Sequence, residues 1–169
     1  MMPSALENTL RSCNQVGRIG MIPFVTVGYP DPSTTIDIVE AIVEAGADVV
    51  ELGVPFSDPL AEGLTIQRST SHALDAGVTP LLCIEVASTL RKRGLSVPLV
   101  LMGYYNPIYS YGLVPFTERC QKAEVDGLIA VDLPGFEAVP LIAECRSRDI
   151  SMIPLLAPTS TDESIKDAC

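Results

Sequence analysis

Histidine occurs once in this 169-residue sequence, as His72, and 11 Lys and Arg stand against 21 Asp and Glu. One imidazole, in a polar helical stretch, is too few for a His-rich metal centre and has no strand-end position for a Cys–His nucleophile. The net charge of −10 and pI of about 4.4 leave no phosphate-neutralising face, which argues against nucleic acid as a partner. Arg91-Lys92-Arg93 is the only dense basic cluster, and it reads as the last turn of a helix, where cations complement the dipole. No apolar run approaches the roughly 20 residues of a membrane-spanning helix, although 47% of the residues are hydrophobic. The start, Met1-Met2-Pro3-Ser4-Ala5, lacks a basic region followed by an apolar segment, so no secretory signal is read and the cytoplasm is the expected location. Cys13, Cys83, Cys120, Cys145 and Cys169 are odd in number and widely spaced. They suggest neither a disulfide framework nor a metal site, and most read as small buried hydrophobes on helices. No G-x-G-x-x-G follows an apolar run, which leaves a dinucleotide site unsupported.

What the sequence does contain is alternation. Continuous apolar runs near residues 22–27, 49–54, 97–104, 127–131 and 152–156 are separated by helical patterns. The helices are expected after a cap at Ser33 or Thr34, near Ile66 to Leu74, after Thr79-Pro80, over Leu113 to Ala123, from about Phe136 to Arg146, and from Thr161 or Asp162. Residues 1–20 read as an N-terminal helix or extension, and Asn106-Pro107 as a turn. Apolar runs that do not alternate belong to strands covered on both faces, hence to a parallel sheet. Strict β-α alternation leaves a (β/α)8 barrel or an open doubly wound sheet. Polar groups recur where the runs end: Glu51, Tyr104 with Asn106, Asp132 and Thr159. Barrels carry their chemistry at that end of the strands, and the fold class expected is α/β of the TIM (β/α)8 barrel family. A complete barrel takes about 250 residues, so residues 1–169 read as a single, partial barrel domain with about five of the eight units.

Glu51 draws most attention. It follows Ala47-Asp48-Val49-Val50 and opens a turn-rich stretch that runs to Gly63. A carboxyl at the end of a buried strand loses hydration, and its proton affinity rises into the range of a general acid or base. The bland alternative is a strand-end glutamate paired with Lys or Arg. Glu62 places a second carboxylate on what reads as a mobile loop.

These residues resemble one family, the tryptophan synthase α subunit. The resemblance rests on PFVTVGYP at residues 23–30, ELGVPFSDPLAEGLTIQ at 51–67, LMGYYNPI at 101–108, DGLI through DLP at 126–134, and APT at 157–159, in order and spacing. It implies a (β/α)8 barrel lyase of tryptophan biosynthesis, with retro-aldol cleavage of indole-3-glycerol phosphate to indole and glyceraldehyde 3-phosphate. It further implies Glu51 as proton donor and Glu62 as the carboxylate near the indole N–H, with Phe24 and Leu101 lining the indole pocket and Tyr104 bordering the site. The plainer alternative for Phe24 and Leu101 is ordinary barrel core. Pro55, Phe56, Asp58, Asn106 and Pro107 match regions that meet a β subunit in an α-β-β-α assembly. No metal and no cofactor are implied for this chain, because pyridoxal phosphate belongs to that partner.

Three departures from the family pattern are visible. Glu62 stands for the usual Asp, Leu64 for a Pro, and Glu124 for a Gly that would suit a left-handed backbone. The phosphate loops that follow strands 7 and 8 of a barrel are not read in these residues. That raises a second expectation, a catalytically impaired barrel fragment that binds and activates a β subunit. A third, a phosphosugar epimerase, is disfavoured because His72 lies away from any strand end.

Overall fold

A computed structural model describes residues 4–168 of the chain; Met1, Met2, Pro3 and Cys169, which carry part of the leader and cysteine readings above, lie outside the described residues. The elements run α1 (Ala5–Gln15), β1 (Phe24–Thr26), α2 (Pro32–Glu44), β2 (Val50–Gly53), α3 (Leu64–Asp75), α4 (Pro80–Lys92), β3 (Leu99–Gly103), α5 (Tyr105–Tyr111), α6 (Leu113–Lys122), β4 (Gly127–Ala130), α7 (Val139–Arg146), β5 (Ser151–Met152) and α8 (Asp162–Ala168). Among the described residues no single helix is long and apolar enough to cross a membrane.

The five strands pair in parallel in the order β1-β2-β3-β4-β5. An open doubly wound sheet reverses its order at a switch point, whereas a barrel adds strands consecutively, so this is an arc of a barrel. Register determines the two faces. One row runs Phe24, Glu51, Val100, Gly127, Ser151, and a second runs Thr26, Gly53, Met102, Ile129. Both rows face the concave side, where Val49, Val100 and Ile129 form an apolar cluster with Leu6 of α1. The row between them, Val25, Leu52, Leu101 and Leu128, faces outward into the larger core shared with the helices.

Helix starts follow local chemistry. The Ser4 side chain accepts from Glu7 N–H while the Glu7 carboxylate accepts from Ser4 N–H, a reciprocal cap on α1. Asp31, rather than Ser33 or Thr34, caps α2; it accepts from Thr34 N–H, and Pro32 fills the first turn. α4 begins at Pro80, in the Thr79-Pro80 step where the sequence placed its start, and Thr79 caps it by accepting from Leu82 N–H. Asn106-Pro107 is not a turn: both lie in the first turn of α5, where a missing N–H costs nothing. β5 is shorter than the sequence run, because Pro154 cannot donate to a ladder.

Arg91 ties two strand entries together. It ends α4 as the sequence suggested, but its guanidinium also donates to the carbonyls of Glu124, Leu95 and Val97 and to Asp126 Oδ2 at 2.5 Å. Asp126 in turn accepts from Leu99 N–H at 2.8 Å, which fixes β3 against β4. Glu124 adopts φ 54°, the left-handed region that disfavours a Cβ.

Two outcomes are expected in urea titrations. Glu124→Gly stabilises the fold by about 1 kcal/mol through relief of that backbone strain. Arg91→Ala destabilises by about 3 kcal/mol, because it strands Asp126 and three carbonyls at a half-dry site.

Candidate functional site at the strand C-terminal ends

Glu51 is the second residue of β2, flanked in register by Phe24 on β1 and Val100 on β3. Its neighbours on the inner face are therefore an aromatic ring and a branched aliphatic side chain. Neither solvates a charge, and the side chain is half-buried. Desolvation alone pushes its pKa above the ordinary glutamate value. No ion pair among the described residues involves Glu51, so the bland reading of a Lys- or Arg-paired strand-end glutamate is not what the structure shows. A carboxyl whose proton affinity desolvation raises, on a rigid strand, is a candidate for acid–base chemistry.

Phe24 lies beside it and owes its position to a glycine. A Cβ built on Gly53 would come within 2.3 Å of Phe24 Cζ, so the ring lies directly over the β2 backbone. Only glycine permits that approach. Above this ring is a small hollow of about 10 Å³, bordered by Phe24, Thr26, Met102, Tyr104, Phe56 and Glu62. That is room for about one water molecule and not for a bicyclic ring. Glu51 does not border the hollow itself; it lies two residues before Gly53, in the neighbouring row of the same inner face.

The carboxylate of Glu62 reaches the site from the loop between β2 and α3. Tyr104 Oη donates to Glu62 Oε2 in a short hydrogen bond and accepts from Ala61 N–H at 2.8 Å. The Tyr104 ring is buried and stacks on Phe56, with centroids 4.9 Å apart and planes at 29°. Burial, and secondarily the hydrogen bond to Glu62, raises the Tyr104 pKa. The phenol therefore stays protonated and donates.

Three of the five residues expected at a ligand site, Phe24, Glu62 and Tyr104, thus border the hollow, and Glu51 shares the inner face in register with Phe24. Leu101 does not. It is 1% exposed and points away from the concave face into the core shared with the helices. Met102, one residue later, occupies the inward position and borders the hollow. The continuous apolar run of β3 gave no alternation from which to read that phase. Gly53 was also missed, because its contribution is a contact with a ring on another strand.

Pro55, Phe56 and Asp58 follow β2, and Asn106 and Pro107 follow β3, so all five lie on the same rim. Pro55 is buried, while Asp58 and Asn106 are exposed. Asp58 accepts from Ser57 Oγ at 2.6 Å, a local turn contact. The rim also displays Leu60 at 92% exposure and Phe136 at 79%. Asp132, at the end of β4, accepts from Tyr105 N–H and closes the start of α5. His72 sits on α3, its Nε2 at 2.9 Å from the Pro30 carbonyl. Among the described residues no three His, Cys, Asp or Glu side chains are grouped so as to hold a metal ion.

Comparison with known proteins gives a consistent result. A family model described as tryptophan synthase alpha chain matches residues 10–169. The tryptophan synthase alpha chain of Dehalococcoides mccartyi is 51% identical over 149 residues, 88% of this chain and 58% of that one. Its counterpart from Burkholderia thailandensis is 47% identical over 162 residues, 96% of this chain and 60% of that one. Among solved structures, tryptophan synthase subunit alpha from Legionella pneumophila superposes with a TM-score of 0.94 at 34% identity, covering 98% of this chain and 63% of that one. A chain of the tryptophan synthase α2β2 complex from the hyperthermophile Pyrococcus furiosus gives 0.84 at 40% identity, covering 88% and 60%. The chain thus spans about three-fifths of the length of the curated relatives it matches.

The environment of Glu51 has a measurable consequence for stability. A carboxyl whose native pKa is raised binds its proton more tightly folded than unfolded. Its contribution to stability is full below the unfolded pKa and declines as pH rises through the native one. Glu51→Gln removes that decline. Its urea midpoint is expected to exceed that of the parent at pH 7, with the gap closing toward acid pH.

Proposed function

The chain belongs to the tryptophan synthase alpha chain family, and from that premise we propose that it serves the retro-aldol cleavage of indole-3-glycerol phosphate to indole and glyceraldehyde 3-phosphate. The observation that carries the reading is Glu51: a half-buried carboxyl with a raised pKa and no cationic partner, held on a strand beside the Phe24 ring. The cleavage needs such a group. A proton delivered to indole C3 converts the ring into an electron sink. The adjacent hydroxyl proton then passes to the carboxylate left by the donor, or to a nearby base, and the aldehyde forms as the C3–C3′ electron pair moves into the ring and aromatic indole leaves.

Each remaining residue has a part in that scheme. Phe24 and Met102 offer apolar walls to a flat aromatic ring. Glu62 faces the same hollow and offers a negative charge to the ring N–H as positive charge develops there. The hollow in its present state admits about one water, so substrate entry requires outward movement of the β2–α3 loop. The family's usual aspartate is one methylene shorter than Glu62. A shift of about 1 Å in a charge of this kind costs up to about a hundredfold in rate, so a rate below that of aspartate-bearing relatives is expected.

The partner in this reading is a β subunit, seated on the rim that carries Pro55, Phe56, Asp58, Asn106 and Pro107. Support comes from the exposed Leu60 and Phe136 on that rim and from the likeness to a chain of an α2β2 complex. The same exposed rim favours a second reading, in which the chain binds and activates the β subunit without cleaving substrate.

Indole release from indole-3-glycerol phosphate, measured with β subunit present, tests the first reading. Glu51→Gln is expected to lower kcat at least about a hundredfold while pull-down of the β subunit is unchanged. Pull-down without any indole release from the parent chain supports the second reading instead.

A further inference from the structure

We propose that Tyr104 is a positioning residue: its hydroxyl anchors the β2–α3 loop and sets where the Glu62 carboxylate meets the hollow. The loop spans residues 54–63, and its first fixed point is Val54 N–H donating to Met102 O at 2.8 Å. Its last is the start of α3, where Gln67 N–H donates to Gly63 O and Gln67 Nε2 donates to Glu62 O. Both fixed points lie at the ends. Between them, among the described residues, two hydrogen bonds from the loop run to one atom outside it, Tyr104 Oη, which accepts from Ala61 N–H and donates to Glu62 Oε2. The ring below that oxygen carries Phe56. The loop tip packs little otherwise, as the 92% exposure of Leu60 shows.

The anchor itself does not move easily. Tyr104 directly follows β3, is 4% exposed, and precedes the first turn of α5, whose Tyr105 N–H is held by Asp132. A rigid strand end thus reaches across to an otherwise loosely held loop. Because the phenol engages Oε2, it orients the carboxyl group and leaves Oε1 as the oxygen free to receive a donor from a ligand in the hollow. The task assigned to Glu62 rests on the retro-aldol reading; the anchoring of the loop does not.

The test is Tyr104→Phe, which keeps the ring and its stack on Phe56 but removes the hydroxyl. Hydrogen exchange at amides 57–63 is expected to quicken about five- to tenfold, the loss of one to two hydrogen bonds, while amides of β3 and α4 keep their rates. Glu62→Gln removes the charge from the other side of the bond and is expected to quicken the same amides; combined with Tyr104→Phe it adds little, since both act on one contact. With β subunit present, Tyr104→Phe lowers kcat for indole release by about tenfold and changes KM less, as a displaced charge does and a lost binding wall does not. Unchanged exchange at 57–63 in both variants overturns the proposal, as does uniform quickening across the whole chain, which marks a merely structural tyrosine. Local quickening together with a parent chain that releases no indole leaves the anchor standing and overturns the retro-aldol reading alone.

Discussion

The parallel backbone ladder between β1, β2 and β3 is the constraint on which the rest of the site depends. It pairs Phe24 with Glu51 and Glu51 with Val100, and so decides that a carboxyl, an aromatic ring and an aliphatic side chain share one inner row. Because side chains alternate across a strand, a slip of one residue would turn Glu51 into the outer core and bring Val50 or Leu52 inward. The outer core would then hold an unpaired carboxylate among leucines and valines, at a cost that rules the slip out. The burial of Val50 and Leu52 is therefore what keeps Glu51 on the inner face of the sheet.

The site divides into a rigid half and a movable half. Glu51, Phe24, Met102 and Tyr104 stand on or directly after strands. Glu62, Phe56 and Ala61 stand on the loop that crosses above them. The proposed cleavage, which needs a fixed proton donor and room for a large ring, suits this division, with Glu51 on a strand and Glu62 on a loop. The departures from the family pattern fall on the loop, on the helix start that ends it and on a turn. Glu62 lies near the loop's end, Leu64 opens α3, and Glu124 occupies a strained position before β4.

Much of this was legible in the amino-acid sequence, and what was not has physical reasons. Alternating apolar runs gave the five strands, because parallel strands are buried on both sides and leave a strong trace. The same double burial hid the phase of β3: Leu101 and Met102 are both apolar, and only the register with Glu51 and Gly53 shows that Met102 faces inward. Glu51 was legible because a charge at the end of an apolar run is conspicuous. Tyr104 was visible as a strand-end polar group, but its bond to Glu62 spans 42 positions and has no local trace. Asn106-Pro107 was read as a turn because Asn-Pro commonly starts one. A proline in the first turn of a helix looks the same in sequence, and the cap that Asp132 places on Tyr105 N–H tips the balance.

The buried cysteines described by the core have a use of their own. Cys83, Cys120 and Cys145 lie on α4, α6 and α7, and burial pushes each thiol to a pKa of about 12. A thiolate is the reactive form, so an alkylating reagent near neutral pH finds all three silent until their helices lift from the sheet. The outer layer therefore carries three native reporters, one per helix, whose labelling rates record the order in which that layer detaches.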